Sequence, residues 1–230
     1  MTSGSSLSPT QLAAVALLRV AAGAAILSAL LVLPAGTLAY WQAWTFQAIL
    51  LIPMTLTMVY LLARDPELLE RRLRTGERDP AQRRIVALAA VLLLTMVSIP
   101  GFDRRFGWSF VPLPVVVLAH LFLLVGYGLF LRVLRENRSA SRTVAVESGQ
   151  CVVATGPYAV VRHPMYAAIT VMGLATPLAL GSWWAGIPAL LLIVVLAARI
   201  QNEERLLASE LTGYREYMQT TSYRLVPGVW

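Results

Sequence analysis

Residues 164–198 read PMYAAITVMGLATPLALGSWWAGIPALLLIVVLAA. The apolar runs 164–180 and 183–198 are parted only by Gly181 and Ser182, which predicts two helices folded back on one another. Neither run alternates polar with apolar residues, and each exceeds the roughly ten residues of a membrane barrel strand. Earlier runs of the same kind occupy 12–33, 44–63, 85–100 and 113–131. Of the 230 residues, 57% are hydrophobic and 13% charged, unlike a soluble domain. The expected fold is all-α: one polytopic transmembrane domain over 1–230, with about six spans. The last two spans form a tight hairpin that leads into a cytoplasmic C-terminal extension. The short runs 85–100 and 164–180 also fit buried or partly inserted helices, which leaves five spans as the alternative count.

Charge placement supports six. Every basic residue other than histidine is arginine, and segments 64–84, 132–163 and 199–230 hold all but Arg19, Arg104 and Arg105. Six spans put those three segments on one face, which the positive-inside rule makes cytoplasmic, with both termini there. Trp41, Trp44, Trp108, Trp183 and Trp184 then fall at the opposite interface, as an aromatic belt does. No basic side chain precedes Arg19 and the first apolar run is long for a signal sequence, so a retained span is expected. Arg19 then lies inside the first span and snorkels to the cytoplasmic surface. The single Cys151 excludes an intrachain disulfide, and the net charge of +7 fits contact with anionic lipid. No nucleic-acid module, P-loop, G-x-G-x-x-G or G-x-S-x-G is present, and two histidines without a cysteine cluster give no metal site.

Segment 64–84, RDPELLERRLRTGERDPAQRR, predicts a short interfacial helix capped by Asp65, opened by Pro66 and ended by Gly76. Leu68, Leu69 and Leu73 are expected to face lipid. The favoured reading is a positive-inside loop without a site role. The connection 132–163 is long enough to be functional, and 143–146 and 151–153 are apolar enough to pack. The last span is expected to run on into the cytoplasm and end near Gly213.

Polar residues gather at the start of the hairpin in GPYAVVRHPMY, 156–166. Pro164 suits the first helical position, and the backbone donors after it favour an anion. With Arg162, His163 and an aromatic plate at Tyr158, this could hold a zwitterionic, aromatic cofactor. Ordinary interfacial residues and tyrosine anchors explain it equally well. Glu203 and Glu204 close the last span, where a carboxylate is costly unless solvated, paired or functional. One can pair with Arg199 and the other accept from a ligand. The hairpin must bring RHPMY and NEE together. In the fourth span, Gly126 and Gly128 flank Tyr127 and read first as helix packing, and His120 as a packed histidine.

GPYAVVRHPMY, then NEE at 202–204, GYREY at 213–217 and YRLVPG at 223–228 resemble the isoprenylcysteine carboxyl methyltransferase family. They are similar also to the related phospholipid N-methyltransferases, in which a G-x-G in a preceding span and a paired Glu accompany the H-P-x-Y element. The similarity is strongest over 130–230, and PELLERR at 66–72 looks like bacterial members. The resemblance implies S-adenosyl-L-methionine bound at the cytoplasmic end of the hairpin, with a lipid or lipidated acceptor arriving from the bilayer; the absence of lysine suggests a high-GC genome and hence a bacterial inner membrane. It places cofactor contacts at Gln150, Cys151, Val152, Val153, Tyr158, His163, Pro164, Met165, Tyr166, Gly126 and Gly128, and at Glu203 or Glu204. Arg199 is the implied substrate-binding residue if Glu203 is the cofactor residue. The competing expectations are a steroid-reductase-like oxidoreductase using NADPH, and a transporter or binding protein without catalysis.

Overall fold

The computed structural model describes residues 8–73, 80–137 and 151–230. Among them there is no strand; the chain is all-α. The long helices are α1 (Pro9–Ala35), α2 (Trp41–Arg64), α4 (Pro80–Phe106), α5 (Leu113–Glu136) and α7 (Gly186–Glu210). Between them lie α3 (Pro66–Leu73) and α6 (Pro164–Ala179), with α8 (Tyr214–Thr220) closing the chain. The five long helices are apolar and long enough to cross a membrane. The run 164–180 forms α6, which at 16 residues is shorter than the roughly 20 of a straight crossing.

Around a closed ring the order is α2, α1, α4, α7, α6, α5 and back to α2. Small residues make the ring tight at the tryptophan-rich end. There Ala35, Ala43, Ala119, Ala175, Ala179, Ala185 and Ala189 pack among Leu31, Tyr40, Phe46, Met96 and Leu123. Two glycines are steric necessities. A Cβ on Gly101 would stand 2.6 Å from the Leu31 carbonyl oxygen, where α4 crosses α1. A Cβ on Gly126 would stand 2.5 Å from Met172 Cγ and 3.2 Å from the Ala168 carbonyl oxygen, where α5 meets α6. Gly126→Val therefore has to push α6 away, and a melting curve of the purified chain should show a loss of about 1–3 kcal/mol. An unchanged midpoint would mean that α6 gives way freely.

Three expectations need correction. The fourth helix does not stop at residue 100 but runs to Phe106, with Pro100 and Gly101 buried inside it. Asp103, beyond the apolar run, is 1% exposed because its carboxylate is fully served. It accepts from the Ser109 backbone N–H at 2.7 Å and from the hydroxyls of Ser109 and Ser182. This knot ties the α4 end to the hairpin turn, where Gly181 adopts a left-handed φ of 79° and Tyr40 donates to the Leu180 carbonyl at 2.6 Å. The seventh helix starts at Gly186, after a turn through Trp183 and Trp184.

The third correction is α3. Asp65 caps it as expected, accepting from the Leu68 N–H at 3.2 Å. Leu68, Leu69 and Leu73, however, face protein rather than lipid. They pack with Leu12, Ala16 and Leu61 of α1 and α2, and all three are buried. Arg19, exposed on α1, donates to the Leu73 carbonyl and so serves the last turn of α3. The expected stop at Gly76 and the segment 143–146 lie outside the described residues.

Candidate functional site

At the arginine-rich end the ring encloses a cavity of about 800 Å3. Its polar wall begins where the sequence pointed. The N-cap of α6 is His163 and its first residue is Pro164, so Met165 and Tyr166 stand in the first turn, on the cavity wall. Proline there costs no hydrogen bond, because the first-turn N–H groups have no helical partner. On α7, a helix turn brings Arg199 and Glu203 onto the same wall. Tyr166 donates to Glu203 Oε2 at 2.5 Å and accepts from Arg199 Nε at 2.9 Å. Arg199 is thus joined to Glu203 through a tyrosine.

Glu204 points elsewhere, as adjacent helical positions about 100° apart must. It is 4% exposed and lies behind the cavity wall in a cluster of cations. Its Oε1 accepts from Arg162 Nε at 2.7 Å and lies 3.2 Å from His163 Nε2, while Oε2 accepts from Arg224 Nε at 2.8 Å. Arg162 also donates to the carbonyls of Thr221 and Ser222 at 2.8 and 2.9 Å. The backbone completes the clamp, with N–H groups of Arg162 and His163 donating to the carbonyls of Tyr223 and Arg224. The YRLVPG segment is therefore the strap that holds RHP against α7. Such a buried charge is tolerable only with every lone pair occupied, and here three side chains occupy them.

The remaining polar wall is aromatic. Tyr158, in the short 3-10 turn Gly156–Ala159, accepts through its hydroxyl from Asn137 Nδ2 at 3.0 Å and through its carbonyl from the Tyr217 hydroxyl at 2.7 Å. Tyr214 and Tyr217 from α8 stand beside it. Burial raises the pKa of Tyr158 and Tyr214 and pushes Tyr217 up to about 12, so all three are protonated donors at neutral pH. Tyr214 is 4% exposed, lines the cavity, and its hydroxyl has no hydrogen-bond partner among the described residues. An orphaned buried donor costs about 1–3 kcal/mol unless a ligand or water serves it.

Of the candidate residues, Cys151, Val152, Val153, Tyr158, His163, Pro164, Met165, Tyr166, Arg199 and Glu203 come together on this cavity. Gln150 lies outside the described residues. Gly126 is not on the wall but in the α5–α6 contact, and Gly128 is exposed on α5; the residue between them, Tyr127, lines the cavity. His120 sits apart, its Nδ1 at 2.8 Å from the Val116 carbonyl oxygen and its ring stacked on Trp41. The sequence reading missed the opposite wall altogether. Arg19, Val20 and Gly23 of α1, Met54, Thr57 and Met58 of α2, and Leu69 and Arg72 of α3 face the hairpin across the cavity. A hydrogen bond of 2.9 Å between Thr57 and Tyr127 joins the two walls. No local motif marks these residues. Only the amphipathic PELLERR segment carried a signal, and it was assigned to lipid.

Residues 114–212 match the model of the Phospholipid methyltransferase family, a stretch from α5 through RHPMY to the end of α7. No curated protein matches the chain.

Proposed function

We propose, from the match of residues 114–212 to the Phospholipid methyltransferase family and the five helices apolar enough to span a membrane, that the chain transfers a methyl group from S-adenosyl-L-methionine to a membrane-embedded acceptor. The transfer takes place on the cytoplasmic side, since the cavity lies at the arginine-rich end. One observation carries this reading. The start of α6 and the end of α7 meet on a single cavity that presents a carboxylate, Glu203, and an orphaned donor, Tyr214.

Those residues fit the cofactor. The Glu203 carboxylate suits an ammonium or ribose hydroxyls, the Tyr214 hydroxyl an acceptor atom, and the plates of Tyr158 and Tyr217 an aromatic base. Cys151 to Val153 and His163 to Tyr166 close the pocket around them. When bound, the sulfonium supplies a methyl group already activated for in-line displacement. What the chain adds is position and dryness: Tyr166 fixes Glu203 and Arg199 relative to each other, and the apolar lining keeps water from the acceptor. Arg199 is suited to hold an anionic acceptor group. Glu204, with both oxygens occupied, is assigned to positioning Arg162 and His163 rather than to contact.

A carboxylate acceptor needs no general base, whereas a lipid ammonium must lose a proton first, and Glu203 is then the acceptor for it. Incubating the purified chain with methyl-tritiated S-adenosyl-L-methionine and total membrane lipid should move label into the organic phase. Base-labile label marks a carboxyl ester and base-stable label an amine. Label that enters no acceptor contradicts the assignment.

A further inference from the structure

The positive-inside pattern accounts for every arginine except Arg19, Arg104 and Arg105, and Arg19 serves the end of α3. The other two stand in the last turn of α4, at the tryptophan-rich end. Arg105 lies about 28 Å along α4 from Val86 of the cavity wall at roughly 1.5 Å per residue, so a hydrocarbon core of roughly 30 Å separates the two. The stretches 20–63, 85–131 and 164–198 carry only three charged side chains, Asp103, Arg104 and Arg105. One aspartate against two arginines leaves this end with a cation in excess.

The two arginines are not alike. Arg104 donates to the Ala39 carbonyl, and its guanidinium lies 5.1 Å from the centroid of the Tyr40 ring. Arg105 is held in place without an acceptor. Its guanidinium lies 5.6 Å from the centroid of the Phe106 ring and beside the C-cap of α1, where a Cβ on Gly36 would stand 3.7 Å from Nε, Cζ and Nη1. Among the described residues no carbonyl or carboxylate accepts from it. The same side chain closes one end of an apolar groove of about 390 Å3 between α1 and α4, lined by Ala29, Leu30, Leu33, Pro34 and Phe102. Ala29, Leu33 and Phe102 are exposed, so the groove opens away from the ring. A guanidinium with its donors unspent matches a phosphate, and the apolar slot leading from it matches an acyl chain. The uncompensated charge favours a headgroup that is negative as a whole over a zwitterion.

We infer that Arg105 and the α1–α4 groove bind an anionic phospholipid of the leaflet opposite the cavity, its phosphate on the guanidinium and an acyl chain in the groove. The site shares no residue with the cavity and does not depend on the proposed methyl transfer.

The test places a photoreactive side chain in the groove, Phe102→p-benzoylphenylalanine, in the full chain reconstituted into vesicles of equal dioleoyl phosphatidylglycerol and dioleoyl phosphatidylcholine. After irradiation, mass spectrometry counts the lipid adducts. Phosphatidylglycerol adducts should outnumber phosphatidylcholine adducts about fivefold, the worth of one arginine at a membrane surface. Leu118→p-benzoylphenylalanine, exposed on α5 toward the same end, should give a ratio within about twofold of one. Adding Arg105→Gln should bring Phe102 down to the level of Leu118, while Arg105→Lys keeps part of the preference, because an ammonium retains the charge and loses the fork. Ala29→Trp, which fills the groove and leaves the charge, should lower the preference as well. A ratio near one with Arg105 in place, or one that survives Arg105→Gln, overturns the site. So does an equal preference at Leu118, or a preference that Ala29→Trp leaves intact, since either reduces the effect to general surface attraction. Should the Phe102 variant fail to fold, Leu33 carries the photoreactive group in the same groove.

Discussion

Glu204→Ala should destabilise the protein by about 3–5 kcal/mol, the cost of stripping a buried ion cluster of its one shared counter-charge. Arg162 is 6% exposed and His163 likewise, so neither can turn to water when the carboxylate goes. The strap through Tyr223 and Arg224 is fastened to the same carboxylate and should loosen with it. Cofactor binding should therefore disappear together with the cooperative melt. Arg224→Ala should cost less, because that side chain is 32% exposed and water replaces part of what is lost. A Glu204→Ala chain that melts at the wild-type temperature would show that the cluster is not what holds the α6 start to α7.

Glu203→Gln should do the reverse. Its neighbour keeps the clamp, and a neutral amide can still accept from Tyr166, so the melting temperature should move little. The affinity for S-adenosylhomocysteine should fall about tenfold to a hundredfold, the worth of roughly 1.5–3 kcal/mol for hydrogen bonds to a charged group. Calorimetry on both variants reads the contrast. Two adjacent glutamates with opposite phenotypes are what a helix surface demands when one face meets the ligand and the other the protein. Equal loss of affinity and stability in both would remove the division of labour.

That division was not legible in the sequence. NEE and RHPMY could be brought together from the tight turn at Gly181 and Ser182, because a hairpin leaves its two free ends no other place. Which glutamate faces inward depends on the helix phase at residue 203, and the phase is set by packing of α7 against α4 and α6. The helices were readable from their apolar runs. Their ends were not: the apolar run of α4 stops at residue 100, whereas the helix goes on to Phe106, and it is Ser109 and Ser182, by a backbone N–H and two hydroxyls, that make Asp103 a buried residue there. Leu68, Leu69 and Leu73 carry the same pattern whether an amphipathic helix lies on lipid or on protein, and α1 and α2 decided for protein. Tyr214 stood in plain view in GYREY, yet its orphaned hydroxyl becomes visible only when α8 folds back over the cavity.

The central claim is that this cavity holds S-adenosyl-L-methionine rather than a nicotinamide. Titrating the purified chain calorimetrically with S-adenosylhomocysteine, and separately with NADPH, tests it most directly. Saturable binding of S-adenosylhomocysteine that Glu203→Gln weakens, with none of NADPH, is the predicted result; saturable binding of NADPH with no heat from S-adenosylhomocysteine would contradict it.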